Sequence, residues 1–220
     1  GEADLNGCER EAFRPSLRIT PRDDLTIDLV YNYDKATDPG TAFVNRAVLF
    51  TNEAALSVPD NNLLGMNDIG VDRTVKDFNT TVSWDLNDEL SLTYIGAQRE
   101  HDSLEVFDAD GTGFEMLNFS ELATGDQSSH ELRLNFSGED INGFVGASYF
   151  AEDAEQFVGF ATEEGTFLSC AGALAGVGIS SCNVDSTALL TGGAIPALLY
   201  ESYYANAADN SSLNLFADIS

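Results

Sequence analysis

Residues 14–34 read RPSLRITPRDDLTIDLVYNYD. Phe13, Leu17 and Ile19 share one face of a period-two pattern, and Arg14, Ser16, Arg18 and Thr20 share the other. After Pro21-Arg22-Asp23-Asp24 the alternation resumes, with Leu25, Ile27, Leu29, Tyr31 and Tyr33 opposite Thr26, Asp28, Asn32 and Asp34. Val30 is the one exception. Successive side chains of a strand point to opposite faces, so this period predicts two strands, over 13–21 and 25–34. Pro21 closes the first at a place where its missing N–H does little harm, and the polar tetrapeptide supplies turn chemistry.

The pattern recurs along the chain. Phe78, Thr80, Val82, Trp84 and Leu86 alternate with Asp77, Asn79, Thr81, Ser83 and Asp85 in a strand over 71–86. Leu90, Leu92 and Tyr94 oppose Ser91 and Thr93 over 90–99, and Leu132, Leu134 and Phe136 oppose Glu131, Arg133, Asn135 and Ser137. A Gly-rich apolar segment over 143–150 has no readable faces. Leu213, Leu215, Ala217 and Ile219 oppose Asn214, Asp218 and Ser220 in a strand over 212–220. Alternation and turn signals together predict about seven strands.

Three tight turns, at 21–24, 86–89 and 138–140, alternate with three long connections, over 35–70, 101–126 and 151–211. A soluble sandwich distributes long loops over both ends. A barrel crossing an outer membrane has short periplasmic turns and long extracellular loops. Trp84 and Phe136 fall near the turn end, and Tyr31, Tyr33, Tyr149 and Phe150 near the loop end, as two interfacial aromatic girdles would. The expected fold class is therefore all-β, an antiparallel transmembrane β-barrel segment. In the third connection, Pro196 followed by Ala197, Leu198, Leu199, Tyr200, Tyr203 and Tyr204 predicts one helix.

Composition sets limits on the partners. Ten Lys and Arg stand against 37 Asp and Glu, a net charge of −27, and no basic residue follows Arg133. Nucleic-acid binding needs a basic face and is excluded as an expectation. Mean hydropathy is −0.12, and no run of about eighteen apolar residues exists, which removes a transmembrane helix but not a barrel strand. The chain begins at Gly1 without Met and reaches Ser220 inside a strand pattern. The expectation is that residues 1–220 are one partial barrel domain of a longer chain.

Residues 14–32 (RPSLRITPRDDLTIDLVYN), 85–110 and 143–149 (GFVGASY) resemble TonB-dependent receptors, the active transporters of the bacterial outer membrane. The resemblance implies a location in the outer membrane of a Gram-negative bacterium, among its lipids. It also implies a barrel of 22 strands, of which this chain supplies a middle portion. A plug domain and a segment that engages the TonB complex are not among these 220 residues. The implied function is uptake of a nutrient, such as an iron chelate (siderophore) or another small molecule, with energy supplied by TonB. Two alternatives stand beside it: a passive porin or adhesin-type barrel, and a secreted carbohydrate-binding β-sandwich.

The candidate site residues are the strand arginines Arg14, Arg18, Arg99 and Arg133, on polar faces with Asp28, Asp77 and Glu131. In a barrel those faces line the lumen. Two readings are open: a ladder of cross-strand ion pairs with contacts to a plug, and a wall that attracts a carboxylate- or phosphate-bearing substrate. Cys170 and Cys182 flank a Gly/Ala-rich stretch in the third connection. A disulfide there would close about a dozen residues and stabilise the loop by about 2–4 kcal/mol; two free thiols are the alternative. Cys8 is the odd cysteine, its partner expected upstream of Gly1. The stretch 108–113, Asp-Ala-Asp-Gly-Thr-Gly, has the look of a calcium loop, but Val106 and Leu117 stand where that loop needs acids, so no metal site is assigned. There is no Gly-x-Ser-x-Gly elbow, no His-Glu-x-x-His and no phosphate-binding loop, so the chain is expected to be neither an enzyme nor the holder of a cofactor.

Overall fold

Each hairpin that the alternation predicts joins the next in a single antiparallel sheet. The computed structural model describes residues 7–41, 43, 69–110 and 117–220, and the structural statements below refer to these. In chain order the strands are β1 (Glu9–Phe13), β2 (Ser16–Arg22), β3 (Leu25–Asp38), β4 (Gly70–Asp85), β5 (Leu90–Asp108), β6 (Asn118–Ser137), β7 (Asn142–Glu163) and β8 (Leu199–Ile219). Between β7 and β8 lie two short helices, α1 (Glu164–Cys170) and α2 (Ser186–Leu190), and a 3-10 turn at Ala175–Val177.

The eight strands occupy seven positions in the sheet, because β1 and β2 both pair with β3. Phe13 lies opposite Tyr33 and Ser16 opposite Val30, so one register runs through the break at Arg14 and Pro15. Pro15 has no N–H to give, but its carbonyl accepts from Tyr31 N–H at 3.1 Å. The single strand expected over 13–21 is thus an interrupted strand over 9–22. The order then follows the sequence from β3 to β8. No strand lies beyond β8 or beyond β1 and β2 among the described residues. Both edges therefore leave backbone N–H and C=O groups without a strand partner.

The strands are longer than the alternation suggests. About half of the residues expected in loops over 101–126 and 151–211 lie in β5–β8, which run for 19 to 22 residues. The sequence signal fades there because the two faces cease to differ in polarity, while the backbone ladder continues. The helix expected after Pro196 is also overturned. Leu199 pairs with Glu163 and Tyr200 with Thr162, so β8 begins where that helix was placed. Pairing with β7 gives alternate residues of β8 a pair of ladder bonds, and tyrosine is well suited to a strand. Of the first connection, residues 42 and 44–68 lie outside the described residues, as do residues 111–116, which include the last three positions of the calcium-like stretch.

Register assigns every side chain to a face. On the apolar face, rows run Leu25–Trp84–Leu92–Leu134–Val145–Ala217 and Ile27–Val82–Tyr94–Leu132–Ala147–Leu215. The next two are Leu29–Thr80–Gly96–His130–Tyr149–Leu213 and Tyr31–Phe78–Gln98–Ser128–Ala151–Ser211. With the Leu90–Phe136–Gly143–Ile219 row below them, these positions on β3–β8 contain no Asp, Glu, Lys or Arg. The following row is Tyr33–Lys76–Glu100–Asp126–Asp153–Asp209, charged on five adjacent strands. The Gly-rich segment without readable faces resolves the same way. Val145, Ala147 and Tyr149 join the apolar face, while Phe150 turns to the polar face and leaves the loop-end girdle.

No second layer covers this sheet. Buried apolar residues are confined to Ala36, Ile69, Val75 and Cys170, while Leu132 is 48% exposed and Leu215 81%. A soluble sheet buries one face against another element. Here, among the described residues, no other element packs on the apolar face.

Candidate functional site

The polar face carries a ladder of ion pairs whose spacing follows from register. Arg18 lies directly opposite Asp28 and clasps it through two bonds, Nε to Oδ1 at 2.7 Å and Nη2 to Oδ2 at 2.9 Å. Asp77 lies opposite Arg99, with Nε 3.5 Å from Oδ1. Higher up, Asp34 receives Arg10 Nε at 2.7 Å and Arg73 Nη2 at 3.5 Å. All are partly exposed, where such pairs contribute about 0–1 kcal/mol each. Their main effect is to fix side-chain direction.

The four sequence-predicted arginines are not gathered into one site. Arg18 and Arg99 are occupied by acids. Arg133 lies over the Phe144 ring at 5.7 Å, and its buried Nε has no hydrogen-bond partner. Arg14 sits in the break between β1 and β2, exposed, at the register position opposite Asn32. The ladder thus consists mainly of acid-paired cations, with Arg133 the residue best placed to meet something outside the sheet.

A hollow of about 370 Å³ lies on the polar face across β5–β8. Ala123, Gly125, Ala154 and Ala208 are too short to fill it, and Arg99, His101, Gln127, Glu152, Gln156 and Asn206 surround it. Gln127 donates to Glu152 at 2.5 Å and Gln156 to Glu121 at 2.5 Å, so amide and carboxylate oxygens are held at fixed positions. None of these small residues announces itself in the sequence; only register brings them together.

The connection between β7 and β8 folds into a cap with a hydroxyl-rich interior. Glu163, 3% exposed, ends β7 and accepts four hydrogen bonds. They come from Thr166 N–H at 2.6 Å, Thr166 Oγ1 at 2.7 Å, Thr187 Oγ1 at 2.5 Å and Leu198 N–H at 2.9 Å. One carboxylate thereby ties α1, α2 and the approach to β8 together. Gly165 permits that closeness, since a Cβ there would strike the backbone of Thr187. Ser169 Oγ accepts from Asn183 N–H at 2.9 Å and donates to Thr166 O at 2.9 Å. Cys170 and Cys182 form a disulfide, with Cα atoms 4.0 Å apart. Cys8 is a free, exposed thiol.

The cap is apolar outside and polar inside. Thr166, Ser169, Ser186 and Thr187 are buried, whereas Phe167, Leu168, Val177, Leu189 and Leu190 are exposed. Between residues 165 and 200 the only charged side chain is Asp185, in a chain that is 21% charged.

Burial raises the Glu163 pKa, but its hydrogen bonds outweigh burial and hold it at about 2, below the ordinary 4.5. The unfolded cap takes up the proton first, so the stabilisation is complete above pH 4.5 and is lost as pH falls towards about 2. The gap corresponds to about 3 kcal/mol. Glu163→Gln places an amide N–H₂ against a hydrogen-bond donor and should remove most of this. The expected result is faster cleavage between residues 165 and 197 in limited proteolysis at pH 7, and loss of the wild-type acid transition. Equal proteolysis rates for both proteins would contradict this role.

Neither a protein-family model nor a curated protein matches this chain. Among the described residues no helix is long and apolar enough to cross a membrane, which does not bear on crossing by strands.

Proposed function

We propose that the chain is part of the wall and outer loops of an outer-membrane transport barrel, and that its parent takes up a small nutrient. The observation that carries this reading is the apolar face: five uncharged rows, uncovered by any other element among the described residues and ended by a row of charges on five strands. Five rows cover about 27 Å along a strand, or about 21 Å after a tilt of about 40°, comparable with the band of about 25 Å on outer-membrane barrels. Trp84 marks the lower rim, donating to Asp24 at 3.1 Å with Arg22 over its ring at 5.3 Å. Such an aromatic, charge-flanked rim suits a membrane–water interface.

The polar face would then line the lumen, and the cap would stand at the outer mouth. Two open sheet edges call for neighbouring strands, because unpaired backbone groups are costly in lipid. Resemblance to TonB-dependent receptors supports active uptake with energy from the TonB complex, through a plug carried elsewhere in the parent. No chemical step is assigned to the chain.

Fractionation of cells that express the parent protein tests this reading. It should sediment with the outer membrane, resist extraction by carbonate, and migrate differently on gels before and after boiling. Recovery as a soluble monomer without detergent would refute it.

A further inference from the structure

Above the hollow, at the loop end of the same strands, aromatic rings cross the polar face in an unbroken row. Phe107, Phe119 and Phe160 are direct cross-strand neighbours on β5, β6 and β7. Their ring centroids lie 5.6 and 5.7 Å apart, and Phe107 and Phe119 are within 9° of parallel. Tyr200 of β8 extends the row at 5.6 Å from Phe160, and Phe43 extends it at 5.9 Å from Phe107. The inner rings pack side by side along the row, which forms a ridge. Its two end rings remain partly open, Phe43 at 45% and Tyr200 at 44% exposure.

Resting on the transport reading, we propose that this ridge and the hollow below it form one elongated binding surface for a neutral oligosaccharide. From Ala154 in the hollow to Phe160 in the row is six residues of β7, about 20 Å, which is too long for a single small ring. The pyranose C–H face is apolar and weakly positive, and it suits an aromatic π face such as Tyr200 offers. The next requirement is for hydroxyls, which both donate and accept. Glu152 provides acceptors in the hollow and Glu121 provides them in the row just above it, while Gln127, Gln156, Asn206 and Arg99 provide donors around the hollow.

Charge narrows the class further. Glu105 and Glu121 lie in the row between ridge and hollow, opposite one another, in a chain of net charge −27. An anionic chelate would be repelled along that path. A cationic ligand would meet the Arg99 guanidinium at its end. A neutral polyhydroxylated ligand meets neither obstacle.

The test uses the parent receptor, purified in detergent, and calorimetric titration with maltohexaose, cellohexaose, xylohexaose, ferric citrate and spermidine. At least one hexaose should bind saturably. The Phe160→Ala, Tyr200→Ala double variant should bind it about tenfold or more weakly, the scale of a lost stacking contact. Ser83→Ala, on the polar face of β4 near the turn end and away from this surface, should leave binding unchanged. Absence of binding by all three hexaoses overturns the assignment, as does unchanged binding by the double variant. Failure of the transport reading is a separate result, seen as absence of the parent from the outer-membrane fraction whatever its sugar binding.

Discussion

Replacing Leu132 by arginine in the parent protein should sharply reduce its assembly in the outer membrane. Leu132 is at the centre of the third apolar row, flanked by Tyr94 on β5 and Ala147 on β7, and no acid shares its face within the band. An arginine at the middle of a barrel's lipid-facing surface costs about 2–4 kcal/mol. Val82→Arg in the same row should have a similar effect, and the double variant should leave little assembled protein. Thr93→Arg provides the control, since Thr93 lies opposite Arg133 on the polar face beside water. The amount of heat-modifiable protein in the outer-membrane fraction measures all four. Normal assembly of the Leu132→Arg protein would mean that the apolar face does not meet lipid.

A second large effect is expected from the cap. Removing residues 165–197 and bridging the gap with a short Gly/Ser linker leaves Glu163 and Leu199 paired at the ends of β7 and β8. The barrel wall should assemble normally, because the cap's helices meet the sheet at the end of β7, through α1 and the Thr187–Glu163 bond. Substrate capture should fall by an order of magnitude or more. The cap is a built unit, stapled by Cys170–Cys182 and held by Glu163, with exposed apolar side chains at the end of the sheet where ligand would arrive. Loops on a rigid scaffold commonly carry recognition. Uptake at the wild-type rate after this deletion would remove the cap from recognition. Loss of both assembly and uptake would make its role structural.

The sequence reveals the lower half of the sheet and conceals the upper half, for one physical reason. Between the tight turns and the Tyr31 row, one face is apolar and the other polar, so period two is visible in Leu25–Tyr33, Leu90–Tyr94 and Leu132–Phe136. Above that row, Glu100, Asp102, Asp126, Asp153 and Glu155 replace the apolar residues. Higher still, Leu104, Leu122 and Phe157 on one face and Phe107, Phe119 and Phe160 on the other place apolar groups on both sides, so period two is lost. The residues after Pro196 illustrate the converse error. Ala197, Leu198 and Leu199 have helical spacing and propensity, but the unpaired edge of β7 offers twenty-one ladder positions and decides the outcome.

Site residues follow the same division. Arg18–Asp28 and Arg99–Asp77 could be anticipated as cross-strand pairs, because each lies in a segment whose alternation is clear. Phe107, Phe119 and Phe160 could not, since each is a lone aromatic until register aligns β5, β6 and β7. The small residues of the hollow are equally silent. Glu163 does have a local signal, an acid three residues before Thr166 at a helix start, where side-chain capping is common. A reading of residues 151–211 as a single loop hides it.

Nitroxide scanning of β6 in the parent, reconstituted in bilayers, tests the central claim most directly. With Cys8 replaced by serine and single cysteines placed in turn from 126 to 136, accessibility to oxygen and to a water-soluble nickel reagent would be measured at each site. Positions 128, 130, 132, 134 and 136 should favour oxygen, positions 127, 129, 131, 133 and 135 should favour nickel, and position 126 should return to water. Nickel access at every position, or protection from both reagents on the even-numbered face, would contradict a lipid-facing wall.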